Sequence, residues 1–288
     1  DSGSYSVIVT NQTGCSSLGA TSVIVGGSLA SFPTANTICN GQAVTLNAGN
    51  PGSIYAWSTG ETTQTINTTT AGTYFVTVTD PNGCSATMLH EVTVNPVPVA
   101  QFQATNACLG DAINFNNTSN VSTGSIQQIS WNFGNGLFSS AMNPSFTYTN
   151  PGTYNVSMTV TTNGGCASAA SGTITVHPLP VADFSADASC LGETTQFADA
   201  SSIADGSIAS WNWNFGDNNQ STQTAPAHTY AAAGNYNTTL IIISNQGCSD
   251  TINKNITIHG LPEANFTVSN ECANTAINLQ NTSTSAWG

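Results

Sequence analysis

The sequence has almost no positive charge. Lys254 is its only lysine or arginine, against 14 acidic residues, and the formal net charge of the 288 residues is −13. Nucleic acids and anionic membrane surfaces are bound through basic patches, so this composition argues against both as partners. No apolar run approaches the ~20 residues of a membrane-spanning helix, so we expect no membrane span in this segment.

The common motifs of catalytic and cofactor sites are also absent. The sequence has no HExxH, GxSxG, P-loop, Rossmann glycine run or EF-hand loop. Its four histidines lie in different repeats or in linkers, without a second ligand nearby in sequence. We therefore predict a protein that is not an enzyme, with no catalytic residues and no cofactor.

Cysteines, in contrast, are frequent and regularly spaced. They lie at positions 15, 39, 84, 108, 166, 190, 248 and 272, and the same gap separates the first and second, third and fourth, fifth and sixth, and seventh and eighth of them. A period of tens of residues is typical of an array of small structural units. Cysteines in fixed register also indicate an oxidising, extracellular compartment.

The spacing of Cys, Trp and Phe residues gives two periods, roughly 70 and 80 residues long. They predict three complete repeats, with the C-terminal part of one repeat at 1–26 and the N-terminal part of another at 260–288. We name the complete ones repeat 1 (27–95), repeat 2 (96–177) and repeat 3 (178–259). We expect the sequence to be a window from a longer repetitive protein.

Short strands fill each repeat. Thr73–Thr79, Thr153–Thr161 and Tyr236–Ser244 are rich in Val, Ile, Thr and Tyr, and each precedes a glycine-containing turn. Apolar residues at helical spacing are not sustained. With about seven short strands in each repeat, the prediction is an all-β tandem array of immunoglobulin-like sandwiches that form an elongated rod.

Aromatic residues predict the core and corners of these sandwiches. One tryptophan per repeat stands where the central strand carries a buried indole, and one Gly-x-Tyr motif begins each penultimate strand, where the hydroxyl can tie the preceding corner. The core candidates are Trp57, Trp131 and Trp213, and the corner candidates are Tyr74, Tyr154 and Tyr236.

Repeat 3 resembles the polycystic-kidney-disease (PKD) domain in three motifs. These are WNFGD at 213–217, PAHTY at 226–230 and GNY at 234–236. Repeat 2 carries the same pattern, with Asn135 for the usual Asp and Phe146 for the usual His. Repeat 1 resembles the shorter immunoglobulin-like module that accompanies PKD repeats. Residues 1–26 are assigned to an immunoglobulin-like repeat and residues 260–288 to a PKD-like one.

Long arrays of these modules with paired cysteines resemble the giant SprB-like adhesins of gliding, type IX-secreting bacteria. This resemblance implies an extracellular, cell-surface stalk or filament that bears tension and spaces a distal tip from the cell. Its implied partners are neighbouring repeats, laterally associated filaments and surface glycans. The alternative is a non-catalytic accessory region, carbohydrate-binding or spacer, of a secreted polysaccharide-degrading enzyme. Thr251, within Asp250-Thr251-Ile252, resembles an O-glycosylation motif of such bacteria.

A calcium site has two candidate ligands, Asp205 and Asp217 in repeat 3, which backbone carbonyls would have to complete. The corresponding residues of repeat 2 are Thr123 and Asn135. Such a site would therefore belong to one repeat and not to the array.

The pairing of the cysteines has two interpretations. In small secreted domains the usual pairs lie within a unit, here Cys39–Cys84, Cys108–Cys166 and Cys190–Cys248. If the strands alternate in direction, however, these cysteines lie at opposite ends of the sandwich, beyond the reach of a disulfide. Head-to-tail repeats would instead favour two bonds between neighbours, Cys39–Cys166 and Cys108–Cys248.

Overall fold

The structure is a computed structural model that describes residues 3–23, 35–187, 189–269 and 276–285. Within these ranges the chain forms β-strands, and no helix is long and apolar enough to cross a membrane. The strands assemble into sandwich sheets repeated along the chain. The prediction of an all-β tandem array of sandwiches is confirmed.

Close contacts divide the chain into two compact units. The first contains Asp1–Gln101, Thr118–Ser130 and Met158–Ala170. The second contains Phe102–Asn117, Trp131–Ser157 and Ser171–Gly288. Segments of repeat 2 thus group with repeat 1 in the first unit and with repeat 3 in the second.

The first described segment is an antiparallel hairpin of β1 (Gly3–Thr10) and β2 (Ser16–Val23). The described part of repeat 1, from residue 35 onward, has six strands, which are β3 (Ala35–Cys39), β4 (Val44–Asn47), β5 (Ile54–Trp57), β6 (Thr65–Thr68), β7 (Gly72–Thr79) and β8 (Ser85–Asn95). One sheet has the order β3-β8-β7-β5, and β4 pairs with β6 in the other. Strand β3 runs parallel to β8, whereas the other pairs are antiparallel.

Repeat 2 contains nine strands, several of them very short. They are β9 (Phe102–Gln103), β10 (Ala107–Cys108), β11 (Ala112–Asn114), β12 (Asn116–Asn117), β13 (Ile126–Asn132), β14 (Phe138–Ser139), β15 (Ser145–Thr147), β16 (Gly152–Thr162) and β17 (Ala167–His177). Strand β10 runs parallel to β17, as β3 does to β8. Strands β11 and β15, β9 and β12, and β13 and β14 form antiparallel pairs.

Repeat 3 shows both layers of its sandwich. Its strands are β18 (Phe184–Ala186), β19 (Ser189–Cys190), β20 (Thr194–Asp199), β21 (Ile208–Asn214), β22 (Gln220–Ser221), β23 (Ala227–Thr229), β24 (Gly234–Ser244) and β25 (Ser249–His259). One sheet has the order β19-β25-β24-β21-β22 and the other β18-β20-β23. A second antiparallel pair follows, β26 (Phe266–Val268) with β27 (Leu279–Asn281).

The sandwich cores are aromatic and aliphatic, as the alternating strands require. The three predicted tryptophans are buried, with Trp131 and Trp213 fully inaccessible. Each indole donates its N–H to a backbone carbonyl, so its polar atom is satisfied inside the core. In repeat 3 the ring of Trp213 contacts Phe184 and Phe197 at centroid distances of 5.2 and 5.6 Å.

The three Gly-x-Tyr tyrosines tie the corners before their strands. Tyr74, Tyr154 and Tyr236 each donate a hydrogen bond to the carbonyl four residues earlier, at 2.8 to 2.9 Å. The acceptors are Thr70, Asn150 and Ala232. A hydrogen bond of this kind contributes about 0.5–1.5 kcal/mol, and it fixes the chain as it enters the longest strands of each repeat.

Candidate functional site

One cysteine of each repeat lies in the turn between its last two strands, here called the F–G turn. A three-residue loop ends in a glycine with φ between +81° and +85° and is followed at once by the cysteine. The residue four positions earlier accepts a hydrogen bond from the cysteine N–H through its side-chain oxygen. These acceptors are Asn11, Asp80, Thr162 and Ser244, and their cysteines are 15, 84, 166 and 248.

The other cysteine lies in a tight turn after the first strand, here called the A–B turn. A Cys-x-Gly-x sequence forms it, with φ near +90° at Gly41, Gly110 and Gly192. The residue after the glycine donates its N–H to the cysteine carbonyl, which is typical of a type II turn. Glycine is required because a side chain would be strained at this φ.

Parallel strand pairing decides where the A–B cysteine lies. Cys39 is the register partner of Asn95, the last residue of β8. Cys108 is likewise paired with His177, and Cys190 with His259. Each A–B cysteine therefore lies beside the point where the chain leaves its repeat.

The F–G cysteine lies at the opposite end of the same repeat. The eleven residues of the last strand separate the two turns, which is about 35 Å at ~3.3 Å per residue. Disulfides join Cα atoms at most ~7 Å apart. The pairs Cys39–Cys84, Cys108–Cys166 and Cys190–Cys248 are therefore out of reach within their own repeats.

The described part of the chain contains two disulfides, each joining one repeat to the next. Cys39 is bonded to Cys166 and Cys108 to Cys248, both with Cα atoms 5.6 Å apart. Cys166 and Cys248 are buried. These are the pairs of the head-to-tail alternative. We call them the staples.

Three other described cysteines carry no disulfide: Cys15, Cys84 and Cys190. Cys15 and Cys84 are exposed F–G cysteines, and Cys190 is a partly exposed A–B cysteine. Cys272, which the staple alternative also leaves without a partner in this sequence, lies outside the described residues.

Hydrogen bonds surround the first staple. The Asn95 side chain donates to the Gly164 carbonyl at 3.0 Å, and the Asn40 N–H donates to the Asn95 carbonyl at 2.8 Å. A β-carbon at Gly164 would overlap the Asn95 side chain, so glycine permits this close approach. Around the second staple the corresponding residues are His177 and Gln246, which line an open cleft with Asn106 and Asp111.

The linker after each junction is tied to the repeat that follows. Val99 exchanges two backbone hydrogen bonds with Asn120, and Val181 does so with Ser202. The next N–H along the linker donates to a side chain of the last strand, from Ala100 to Ser168 at 3.4 Å and from Ala182 to Asp250 at 2.7 Å. The sequence gives no clear signal for these side-chain ties, because the two partners of each are far apart along the chain.

The predicted calcium ligand Asp217 has protein partners. Its carboxylate accepts hydrogen bonds from His228 Nε2 at 2.7 Å and from Asn219. Burial raises the pKa of Asp217, but these hydrogen bonds outweigh it and leave the pKa below its usual value. Among the described residues no group of three or more His, Cys, Asp or Glu is arranged to hold a metal. Asp205 lies in an exposed loop.

Repeat 2 departs from the PKD pattern at Asn135 and Phe146, which replace two residues that contact each other in repeat 3. His228 stacks on Phe215 at a centroid distance of 4.3 Å, and Phe146 stacks on Phe133 at 4.2 Å in repeat 2. A phenylalanine thus preserves the stack but removes the hydrogen-bond donor to the acid. Asn135 replaces that acid and still accepts from the backbone N–H two residues on, as Asp217 does. The exchange keeps the turn and loses the hydrogen bond between the histidine and the acid.

The glycosylation candidate Thr251 lies in β25 with an exposed side chain. Its neighbour Asp250 is the acceptor for the Ala182 N–H, so the acidic residue of the motif also has a structural role. Modification of Thr251 stays a prediction.

The pairing of the cysteines in the staples can be determined by mass spectrometry. After free thiols are alkylated, peptic digestion at acidic pH without reductant is expected to give peptides that join Cys39 to Cys166 and Cys108 to Cys248. Reduction should remove both linked masses. A peptide joining Cys108 to Cys166 would contradict the structure.

The hydrogen bond between Asp217 and His228 in repeat 3 predicts a stability that depends on pH. Because folding lowers the pKa of Asp217, its contribution is present above the unfolded carboxyl pKa of about 3.9 and is lost as the pH falls through the lower folded value. Calorimetry between pH 5 and pH 2 should therefore show a drop in the Tm of repeat 3, of about 4–8 °C for each kcal/mol lost.

The double variant Asp217→Asn/His228→Phe, which copies repeat 2, should reduce this drop. Asp205→Asn, at an exposed acid of the same repeat, is the matched control and should retain it. If the wild type and the double variant showed the same pH profile, the contact between Asp217 and His228 would not be the cause.

Sequence relatives of this chain include two enzymes of Vibrio. The pre-pro-metalloprotease PrtV of Vibrio cholerae is 37% identical over 93 residues, which are 31% of this chain and 10% of that protein. A microbial collagenase of Vibrio alginolyticus is 34% identical over 84 residues, which are 29% of this chain and 10% of that protein. The chain thus spans about a tenth of the length of these relatives.

A solved structure and a family model match the repeats as well. The PKD1 domain of Vibrio anguillarum Epp is 38% identical and covers 28% of this chain and 95% of its own, with a TM-score of 0.27. The PKD domain model matches residues 93–178 and 177–258, which together are more than half of the sequence. The chain therefore belongs to the PKD domain family.

Proposed function

We propose that this chain is a non-catalytic, tension-bearing spacer: a segment of an extracellular stalk that holds a distal tip away from the cell surface. The observation that carries the proposal is the pair of staples, each of which links consecutive repeats covalently. Independent folding of the repeats does not require covalent bonds between them. Disulfides themselves are typical of proteins outside the cytosol.

The staples shorten the covalent route that a load follows. Along the backbone, the segment from Cys39 to Cys248 can extend to about 750 Å, at ~3.6 Å for each residue. With both disulfides closed, the shortest covalent route crosses the two bonds and only the backbone between Cys108 and Cys166. The same arithmetic gives that route a limit of about 210 Å.

The linker ties add a non-covalent component to this function. The backbone hydrogen bonds of Val99 and Val181 lie within a few residues of Pro96 and Pro180. Each linker therefore has few residues without a structural constraint. We propose that the domain boundaries are at 95/96 and 177/178, at the start of these short linkers. We place the PKD domains at 96–177 and 178–259 and an immunoglobulin-like domain at 27–95.

The finer assignment, to a gliding adhesin with filaments that associate side by side, is part of the same proposal. Its support is the resemblance of the mixed repeats and the strongly acidic composition, which suits neither nucleic acid nor anionic membrane as partner. Glycans at Thr251 and on neighbouring filaments are the partners that this assignment implies.

Force spectroscopy tests the load-bearing role. The chain, held by its two ends, is pulled until every repeat has unfolded. Oxidised protein is expected to extend about 500 Å less than reduced protein, because the staples keep most of the segment 39–248 out of the loaded path.

The variant Cys39→Ser/Cys108→Ser should reach the reduced length without reductant. Cys84→Ser/Cys190→Ser, which changes cysteines outside the staples, is the matched control and should retain the short length. Equal extension of oxidised and reduced protein would reject the tension-bearing function.

A second candidate is an accessory region of a secreted enzyme, and the relatives favour it. The names of the two Vibrio proteins describe a metalloprotease and a collagenase. Both names denote enzymes that act on proteins, so this candidate now points to a proteinaceous substrate at least as much as to a polysaccharide. In it the stapled repeats would hold a catalytic domain near an insoluble substrate.

Co-sedimentation separates the two candidates. A spacer should remain in solution with fibrillar collagen and with insoluble polysaccharides such as cellulose and chitin. Retention on one of them, abolished by soluble fragments of the same polymer, would favour the accessory region over the stalk.

A further inference from the structure

The two staples interleave along the sequence. The bond from Cys39 ends at Cys166, beyond Cys108, and the bond from Cys108 ends at Cys248. The cysteines thus divide the middle of the chain into three segments, 39–108, 108–166 and 166–248. The first and second segments are spanned by the first staple, and the second and third by the other.

A single backbone cleavage therefore cannot separate the molecule between Cys39 and Cys248. A cut in the first segment leaves the two parts joined through Cys39–Cys166. A cut in the third leaves them joined through Cys108–Cys248, and a cut in the second is spanned by both bonds.

Two cleavages in different segments are also tolerated. Cuts in the first and third segments leave a middle piece that carries both Cys108 and Cys166, and this piece remains bonded to each flank. Separation requires one cut in each of the three segments. The pieces then part as two bonded pairs, each joining fragments that are not neighbours in sequence.

We propose that the interleaved disulfides keep the array covalently continuous after its backbone has been cleaved. This property depends on pairing alone and holds whether the repeats space an adhesin tip or an enzyme. Pairing within repeats would not provide it, because a single cut in the linker between Cys84 and Cys108, or between Cys166 and Cys190, would then release one end.

Exposed residues in all three segments make this property relevant outside the cell. Thr105 lies in the stretch between β9 and β10, and Leu137, in the loop before β14, is 54% exposed. Ser185 is exposed on β18. Proteases cleave exposed and loosely packed segments first, and each of these three residues lies in a different segment of the stapled region.

The near absence of cations provides a clean test. Lys254 is the only site for trypsin, so Lys254→Gln gives a chain that trypsin does not cut. In this background Thr105→Arg, Leu137→Arg and Ser185→Arg each create one site, alone and in every combination. Free thiols are alkylated, and the oxidised proteins are digested in moderate urea and weighed intact by mass spectrometry.

Every single and double variant is expected to remain one covalent species that gains one water for each cleaved bond and falls apart on reduction. The triple variant should give two species without reductant, 1–105 joined to 138–185 and 106–137 joined to 186–288. Gln12→Arg, which lies before Cys39, is the control and should release residues 1–12 without reductant.

Other pairings give different masses. Release of an end from the Thr105→Arg or Ser185→Arg protein without reductant would overturn the proposal and indicate pairing within repeats. In that case the triple variant would give three species, with 106–137 joined to 138–185. The disulfides form as the protein folds and persist in urea without reductant, so the protein need not stay folded during digestion.

Discussion

The arrangement of this array depends on one pairing, that of the first strand of each repeat with its last strand in parallel. Parallel pairing places the A–B cysteine beside the exit of its own repeat, at Asn95 for Cys39 and at His177 for Cys108. The antiparallel hairpin of the last two strands carries the other cysteine about one strand length away. Neither cysteine can therefore reach the other, and each is available to a neighbouring repeat.

Around this constraint the junctions are built from small, local devices. A side-chain oxygen four residues earlier holds the N–H of each F–G cysteine, and a left-handed glycine shapes both kinds of turn. Each linker is then fixed by backbone hydrogen bonds, at Val99 in one and at Val181 in the other. These devices recur with the same spacing at both junctions, although the repeats differ in length.

Two positions of the PKD pattern differ between repeats 2 and 3, while the stack and the turn around them are kept. Phe146 takes the place of His228 in the aromatic stack, and Asn135 takes that of Asp217 in the turn. A partly buried acid without a partner is unfavourable, so the loss of the histidine favours loss of the acid as well. The pair is a local reinforcement of repeat 3, whereas the stack and the turn are common to both PKD repeats.

The fold class, the repeat periods and the PKD motifs can be predicted from the amino-acid sequence, because strand alternation and turn glycines are local signals that recur in each repeat. The cysteine positions and the expected strand directions also suggested both pairings of Cys39 and Cys108 but did not distinguish between them. The three-dimensional fold distinguishes the two pairings, since the choice depends on which end of a sandwich a cysteine occupies. The fold also determines the contact between Asn95 and Gly164 and the tie from Ala182 to Asp250, which join residues that are far apart along the chain.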